Sequence, residues 1–210
     1  MKIAVSILGI KDRNNVEEIE RLNPDYIHID VMDSNFVDNY SFPINEVKPL
    51  VDNYKYDVHL MVENVEKYID DFVEIKPDCI TFHIEVGDTV NLINYVKNKG
   101  IKVGIAINPN TKVENIYPYL KDIDRVLIMS VEPGLGGQVF MMSSLDKINK
   151  LYEYRKDNNL SYEISVDGGI NNDTIKLINK CDIAVIGSYI TSGNYEERIN
   201  SIRGIIWKNY

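Results

Sequence analysis

The sequence has no run of basic residues. Lys and Arg total 23 against 32 Asp and Glu, a net charge of −9, and an acidic chain without a basic patch excludes a nucleic-acid surface. An anionic ligand would have to be held locally, by backbone amides or a metal ion, not by the overall field. Long apolar runs are missing as well. No stretch approaches the ~20 residues of a membrane-spanning helix, so no membrane partner is expected. The apolar start, Ile3-Ala4-Val5-Ser6-Ile7-Leu8, lacks a small-residue cleavage site and reads as a core strand, not a signal peptide. Cysteine is scarce. Cys79 and Cys181 have neither metal-site nor redox spacing and read as buried thiols in a reducing cytoplasm. No linker or low-complexity segment interrupts residues 1–210, which are expected to form one domain.

What is present is a steady alternation of strand-type and helix-type runs. Strands are expected over Ile3–Leu8, Tyr26–Met32, Tyr56–Met61, Cys79–His83, Lys102–Asn108, Arg125–Ser130, Tyr162–Asp167 and Ile183–Ser188. Helical patterns fall near Val16–Leu22, Ile44–Val51, Val65–Ile75, Thr89–Lys99, Val113–Leu120, Ser144–Asn158, Asn172–Asn179 and Tyr195–Ile206. Eight such units with nothing left over predict an α/β fold, a (β/α)₈ barrel. A doubly wound open sheet would need a glycine-rich turn after the first strand, and none follows Leu8.

Side chains alternate across a strand with period two. In Tyr26–Met32 the apolar Ile27, Ile29 and Val31 occupy one face, and Tyr26, His28, Asp30 and Met32 the other. In Asp57–Met61, Asp57, His59 and Met61 share a face; in Glu163–Asp167, Ser165 and Asp167 do. Ser6 points inward in the first strand. A buried imidazole beside a buried carboxylate is costly unless the two are paired or bind a metal. Strand C-termini surround the active site of this fold, so His28, Asp30, His59 and Asp167 are candidates for one divalent-metal site. Imidazole and carboxylate donors suit Zn, Fe, Mn and Co alike. His83, ending strand four, reads equally as a supporting group, a substrate contact or a plain strand-end residue.

Glycines cluster at successive strand ends: Gly134, Gly136 and Gly137 with Leu135 after strand six, Gly168 and Gly169 after strand seven, and Gly187 with Ser188 after strand eight. Glycine lets backbone amides close round an anion, and barrels bind phosphate with the loops after strands seven and eight. Met32, Met61 and Met129 are inward and strand-terminal, serving either as core filler or as an apolar floor.

Together, Ser6-Ile7-Leu8, His28-Ile29-Asp30-Val31-Met32-Asp33, Phe36-Val37, Asp57-Val58-His59-Leu60-Met61, Asn108-Pro109, Met129-Ser130-Val131, Pro133-Gly134, Gly136-Gly137-Gln138 and Val166-Asp167-Gly168-Gly169 resemble the ribulose-phosphate 3-epimerase family. The resemblance runs in order from Ser6 to Ser188. It implies a barrel that interconverts ribulose 5-phosphate and xylulose 5-phosphate with one divalent metal on His28, Asp30, His59 and Asp167. Asp30 and Asp167 would be the acid–base pair. Ser6, His59, Asp167 and the three methionines would touch substrate, and the glycines, with Leu135 and Ser188, would hold its phosphate. It also implies a homo-oligomer, and fourteen tyrosines suit a self-association patch. Gly9, Ser34, Asp38 and Leu135 depart from the family pattern in loops near the mouth. They leave open a six-carbon substrate, allulose 6-phosphate. A non-catalytic phosphate-binding barrel is the other alternative, against which both Asp30 and Asp167 are intact. An orotidine-phosphate-type decarboxylase is excluded by the missing Asp-x-Lys-x-x-Asp motif, and a Schiff-base aldolase by Met129 where an inward Lys is needed.

Overall fold

A computed structural model describes residues 1–41 and 43–209. Eight parallel strands close into a barrel in sequence order. They are β1 (Lys2–Ser6), β2 (Tyr26–Met32), β3 (Tyr56–Met61), β4 (Cys79–His83), β5 (Lys102–Ile107), β6 (Arg125–Met129), β7 (Glu163–Asp167) and β8 (Ile183–Ile186). The helices on the outside are α1 (Arg13–Arg21), α2 (Ile44–Val47), α3 (Val65–Phe72), α4 (Thr89–Asn98), α5 (Ser144–Asp157), α6 (Ser188–Thr191) and α7 (Tyr195–Asn209).

The period-two reading holds. Ile27, Ile29, Val31, Val58 and Leu60 pack outward in the core shared with the helices. A smaller inner core contains Ala4, Tyr26, Ala106, Leu127, Met129, Ile183 and Val185. Register then sets the site: Asp30 lies opposite His59, His28 opposite Asp57, and Met129 opposite Asp167.

Several helical expectations are shortened, each for a local reason. Over Val113–Tyr119 the chain is a 3₁₀ helix containing Pro118, which has no N–H for an α-helical bond. After α2 the turn tightens to 3₁₀ over Lys48–Leu50, around Pro49. The expected helix to Ile75 changes to 3₁₀ after Phe72 and stops at Lys76 in the left-handed region (φ 51°), the residue before Pro77 being disfavoured in the α region. Within Asn172–Asn179 only Thr174–Lys176 is helical. There the Asn171 side chain accepts from the Asp173 and Thr174 amides and competes with helix formation. In contrast α1 starts earlier than expected, because Asp12 caps it by accepting from the Asn14 amide. Strand ends shift too. β1 stops at Ser6 and β8 at Ile186, so Ser188 opens α6 and does not close a strand.

Candidate active site

The strand C-termini surround a cavity of about 420 Å³. Ser6, Asp30, Met32, Met61, Met129, Gly134, Leu135, Gly136, Asp167, Gly168, Gly169, Gly187 and Ser188 line it. The expected substrate residues therefore converge, with two exceptions. Gly137 is not among the lining residues, and His59 is fully buried beneath the floor, as is His28.

His28, Asp30, His59 and Asp167 each offer a ligand atom, all within 4.8 Å of one another. His28 Nε2 lies 3.3 Å from Asp30 Oδ1 and 4.0 Å from Asp167 Oδ2. His59 Nδ1 lies 3.1 Å from Asp30 Oδ1 and 3.8 Å from Asp167 Oδ2. The chemistry fits a divalent cation: two imidazoles and two carboxylates face one point, and His28 Nε2, though fully buried, has no hydrogen-bond partner. The other His28 nitrogen is engaged, Nδ1 lying 3.0 Å from Asp57 Oδ2.

The acidities of the two cavity carboxylates are pushed in opposite directions. Burial works to raise the Asp30 pKa, but His28 and His59 outweigh it and hold Asp30 well below the usual carboxylate range. Burial, reinforced by the charge of Asp30, pushes Asp167 up to about 7. Ser6, expected to contact substrate, donates its hydroxyl to Asp30 Oδ2 at 2.7 Å. It thereby fixes the carboxylate oxygen turned away from the histidines. The Asn39 amide donates to the Gly134 carbonyl at 2.7 Å, tying two mouth loops together.

The glycine expectation is strongest at Gly169. Its φ is +63°, and a Cβ there would lie 2.4 Å from the Phe140 backbone nitrogen, which cannot rotate away. Gly169→Ala is expected to destabilise by about 1–3 kcal/mol in urea melts, and, if the loop holds substrate as the resemblance implies, to raise KM more than it lowers kcat.

Sequence reasoning assigned no role to Arg125 and did not place Asp57 beside His28. Arg125 is 1% exposed inside the barrel, its Nη1 2.6 Å from Asp57 Oδ1 and its Nη2 3.0 Å from Glu163 Oε2. The signal was available: Arg125 has the same strand parity as inward Met129. Lys11, Asn39, Tyr40 and Ser41 also line the cavity and were missed. They sit in loops, where periodicity says nothing.

The sequence profile of the ribulose-phosphate 3-epimerase family matches residues 2–191. The chain belongs to this family. It is 38% identical to the ribulose-phosphate 3-epimerase of Helicobacter pylori, covering 90% of each chain. Against that of Methanocaldococcus jannaschii it is 40% identical, over 90% of this chain and 84% of the relative. With the Bacillus subtilis protein of the same name it shares 34% identity over 97% and 99%. Among solved structures, 3-keto-L-gulonate-6-phosphate decarboxylase is a distant likeness: the Vibrio cholerae enzyme superposes with a TM-score of 0.70 at 14% identity, over 100% of this chain and 98% of that one. The 3-hexulose-6-phosphate synthase of Salmonella typhimurium gives 0.70 at 14%, covering all of both chains. At that identity the likeness is one of fold. Family members share the epimerase chemistry, and the chain is an isomerase of that class.

Proposed function

We propose that this barrel interconverts D-ribulose 5-phosphate and D-xylulose 5-phosphate by inverting C3, with Asp30 and Asp167 as the acid–base pair. The observation that carries the reading is the pair of carboxylates on one cavity floor, Asp30 and Asp167, whose acidities are pushed in opposite directions. Inversion needs a proton taken from one side of C3 and returned to the other. Asp30 on β2 and Asp167 on β7 stand on separate parts of the barrel, with β1 and β8 between them. Asp30, ionised, accepts the C3 proton; Asp167, protonated, donates from across the cavity. In the reverse direction the roles exchange.

His28, Asp30, His59 and Asp167 would hold a divalent ion, Zn, Fe, Mn or Co. When bound, it supplies Lewis-acid stabilisation of the charge that develops on the substrate oxygens as the C3 proton leaves. The methionines exclude water from the reacting carbon, strengthening every electrostatic contact there. Backbone amides near Gly168, Gly169, Gly187 and Ser188, facing Gly134 to Gly136, would hold the phosphate. We extend the reading to a homo-oligomer, by family likeness, and to the cytoplasm, which suits two buried cysteines free of disulfides. No helix of the described residues is long and apolar enough to cross a membrane.

The test is deuterium incorporation at C3 in D₂O, with chelator-stripped protein and after restoring each cation. Ribulose 5-phosphate and allulose 6-phosphate are assayed separately. Cation-dependent exchange and epimer formation with the five-carbon sugar is the expected result. Preference for the six-carbon sugar would transfer the same chemistry to that substrate. No exchange with either would overturn the catalytic reading.

A further inference from the structure

The third histidine has no part in the acid–base scheme, yet it is fully buried and aimed at a proposed ligand. His83, at the end of β4, places its Nε2 2.8 Å from His59 Nε2. The two rings stack with centroids 5.0 Å apart. Its other nitrogen, Nδ1, lies 3.2 Å from Glu85 Oε2. Glu85 is held in turn: its Oε1 accepts the Asn108 amide at 2.9 Å and the Thr111 hydroxyl. Lys147 braces the same loop by donating to the Asn108 and Pro109 carbonyls, both at 2.7 Å.

We infer that His83, backed by Glu85, is a positioning residue that selects which nitrogen His59 offers to the cation. The inference rests on the cation site proposed above. A carboxylate only accepts, so His83 Nδ1 must carry its proton. A neutral imidazole has a single N–H, which leaves His83 Nε2 as an acceptor. Two ring nitrogens 2.8 Å apart need one donor and one acceptor, so His59 donates from Nε2. With the cation bound, its lone pair is then on Nδ1, the atom facing Asp30 and Asp167; without the cation the Asp30 carboxylate, 3.1 Å from that nitrogen, competes for the same proton. His83 is fully buried, where an uncharged imidazole costs less than an imidazolium.

His28 is set up the opposite way. Asp57 accepts a hydrogen bond from its Nδ1–H, leaving the Nε2 lone pair for the cation. The two imidazoles thus present different nitrogens, one supported by a carboxylate and the other by a neutral imidazole. Partners of this kind fix the tautomer and ring orientation of a metal ligand, and losing one typically costs 10–100-fold in metal affinity.

The test titrates stripped wild type, His83→Phe and His83→Gln with Co(II), followed by absorbance. It is paired with ¹⁵N NMR of the histidines in the Zn-loaded protein. Phe keeps the ring but offers no acceptor, and is expected to weaken Co(II) by about 10–100-fold. Gln can place Oε1 where His83 Nε2 was, and should restore affinity to within about threefold of wild type. The NMR spectrum should show His59 protonated at Nε2 and His83 at Nδ1, a signature a merely space-filling His83 would not require. Wild-type affinity in His83→Phe, or a His59 protonated at Nδ1, would overturn the inference. Should wild type itself fail to bind Co(II), the cation site fails instead. The NMR arm needs no variant and stands even if His83→Phe does not fold.

Discussion

Asp167→Asn is expected to lower kcat by about 10³-fold or more in both directions while making the stripped protein harder to unfold at pH 8. Asn keeps the shape of the side chain and cannot carry a proton at the catalytic step, and general acid–base groups are worth roughly 10²–10⁴-fold. The stability effect follows from linkage. Asp167 titrates near 7 in the folded protein, against about 4 in an unfolded chain. Between those values the native state holds a proton that the unfolded state does not. Stability from this group is therefore complete below about pH 4 and is lost as pH rises through 7. Above that, wild type buries a second carboxylate charge beside Asp30, which the amide does not. The variant's advantage should close by pH 5.

Asp30→Asn should cost as much activity with the opposite sign in stability. Asp30 is held below its unfolded value by His28 and His59, so its contribution is present at neutral pH and lost only in acid. Removing it leaves His28 without its nearest negative partner on the Nε2 side. Isotope exchange separates the two residues further. Asp167→Asn retains Asp30 and should still wash deuterium into C3 of one epimer without inverting it; Asp30→Asn should do so with the other. Epimerisation within tenfold of wild type by either variant would refute the two-carboxylate scheme.

The parts of the site legible in the sequence are those that strand periodicity controls. Residues Tyr26–Met32, Tyr56–Met61 and Cys79–His83 form strands with the bounds their patterns gave. Inward parity then placed His28, Asp30, His59 and Asp167 within reach of one another. Strand ends were less legible. Ile7 and Leu8 continue the apolar run of β1 past its last ladder residue, and a pattern cannot show where pairing stops. The short helices failed where Pro118 or the Asn171 side chain intervenes, local chemistry that an apolar period does not record. What each inward group touches was hidden for a different reason. Asp57 and Arg125 come from β3 and β6, strands that are not neighbours in the barrel, so their meeting is a product of closure. Ser6 was visible as inward, but only the folded site shows its hydroxyl spent on Asp30.

Arg125 gives the second large effect. Its guanidinium lies 5.0 Å from the Tyr26 ring centroid, between Asp57 and Glu163, and Glu163 also pairs with Lys2 at 2.6 Å. The Arg125–Asp57 contact is close but out of line for a hydrogen bond, so charge and not direction holds it. Burial penalises the Asp57 charge, and Arg125 together with His28 and His59 outweighs that penalty and keeps the Asp57 pKa below its usual value. Arg125→Met should therefore destabilise by about 3–5 kcal/mol, because Asp57 is left buried without its guanidinium partner and with only the His28 N–H to offset its charge. Urea melts of the stripped protein measure this. The double variant Arg125→Met/Asp57→Leu removes both charges and should regain most of that loss, since apolar replacement of a buried pair is often close to neutral. It should not regain cation affinity. Without Asp57, His28 Nδ1–H has no acceptor and Nε2 is no longer the enforced lone pair, so Co(II) binding should stay about 10–100-fold weak. A double variant that recovers both would mean that the buried charges serve the fold alone. Recovery of stability without affinity would show the Arg125–Asp57 pair setting the tautomer of His28.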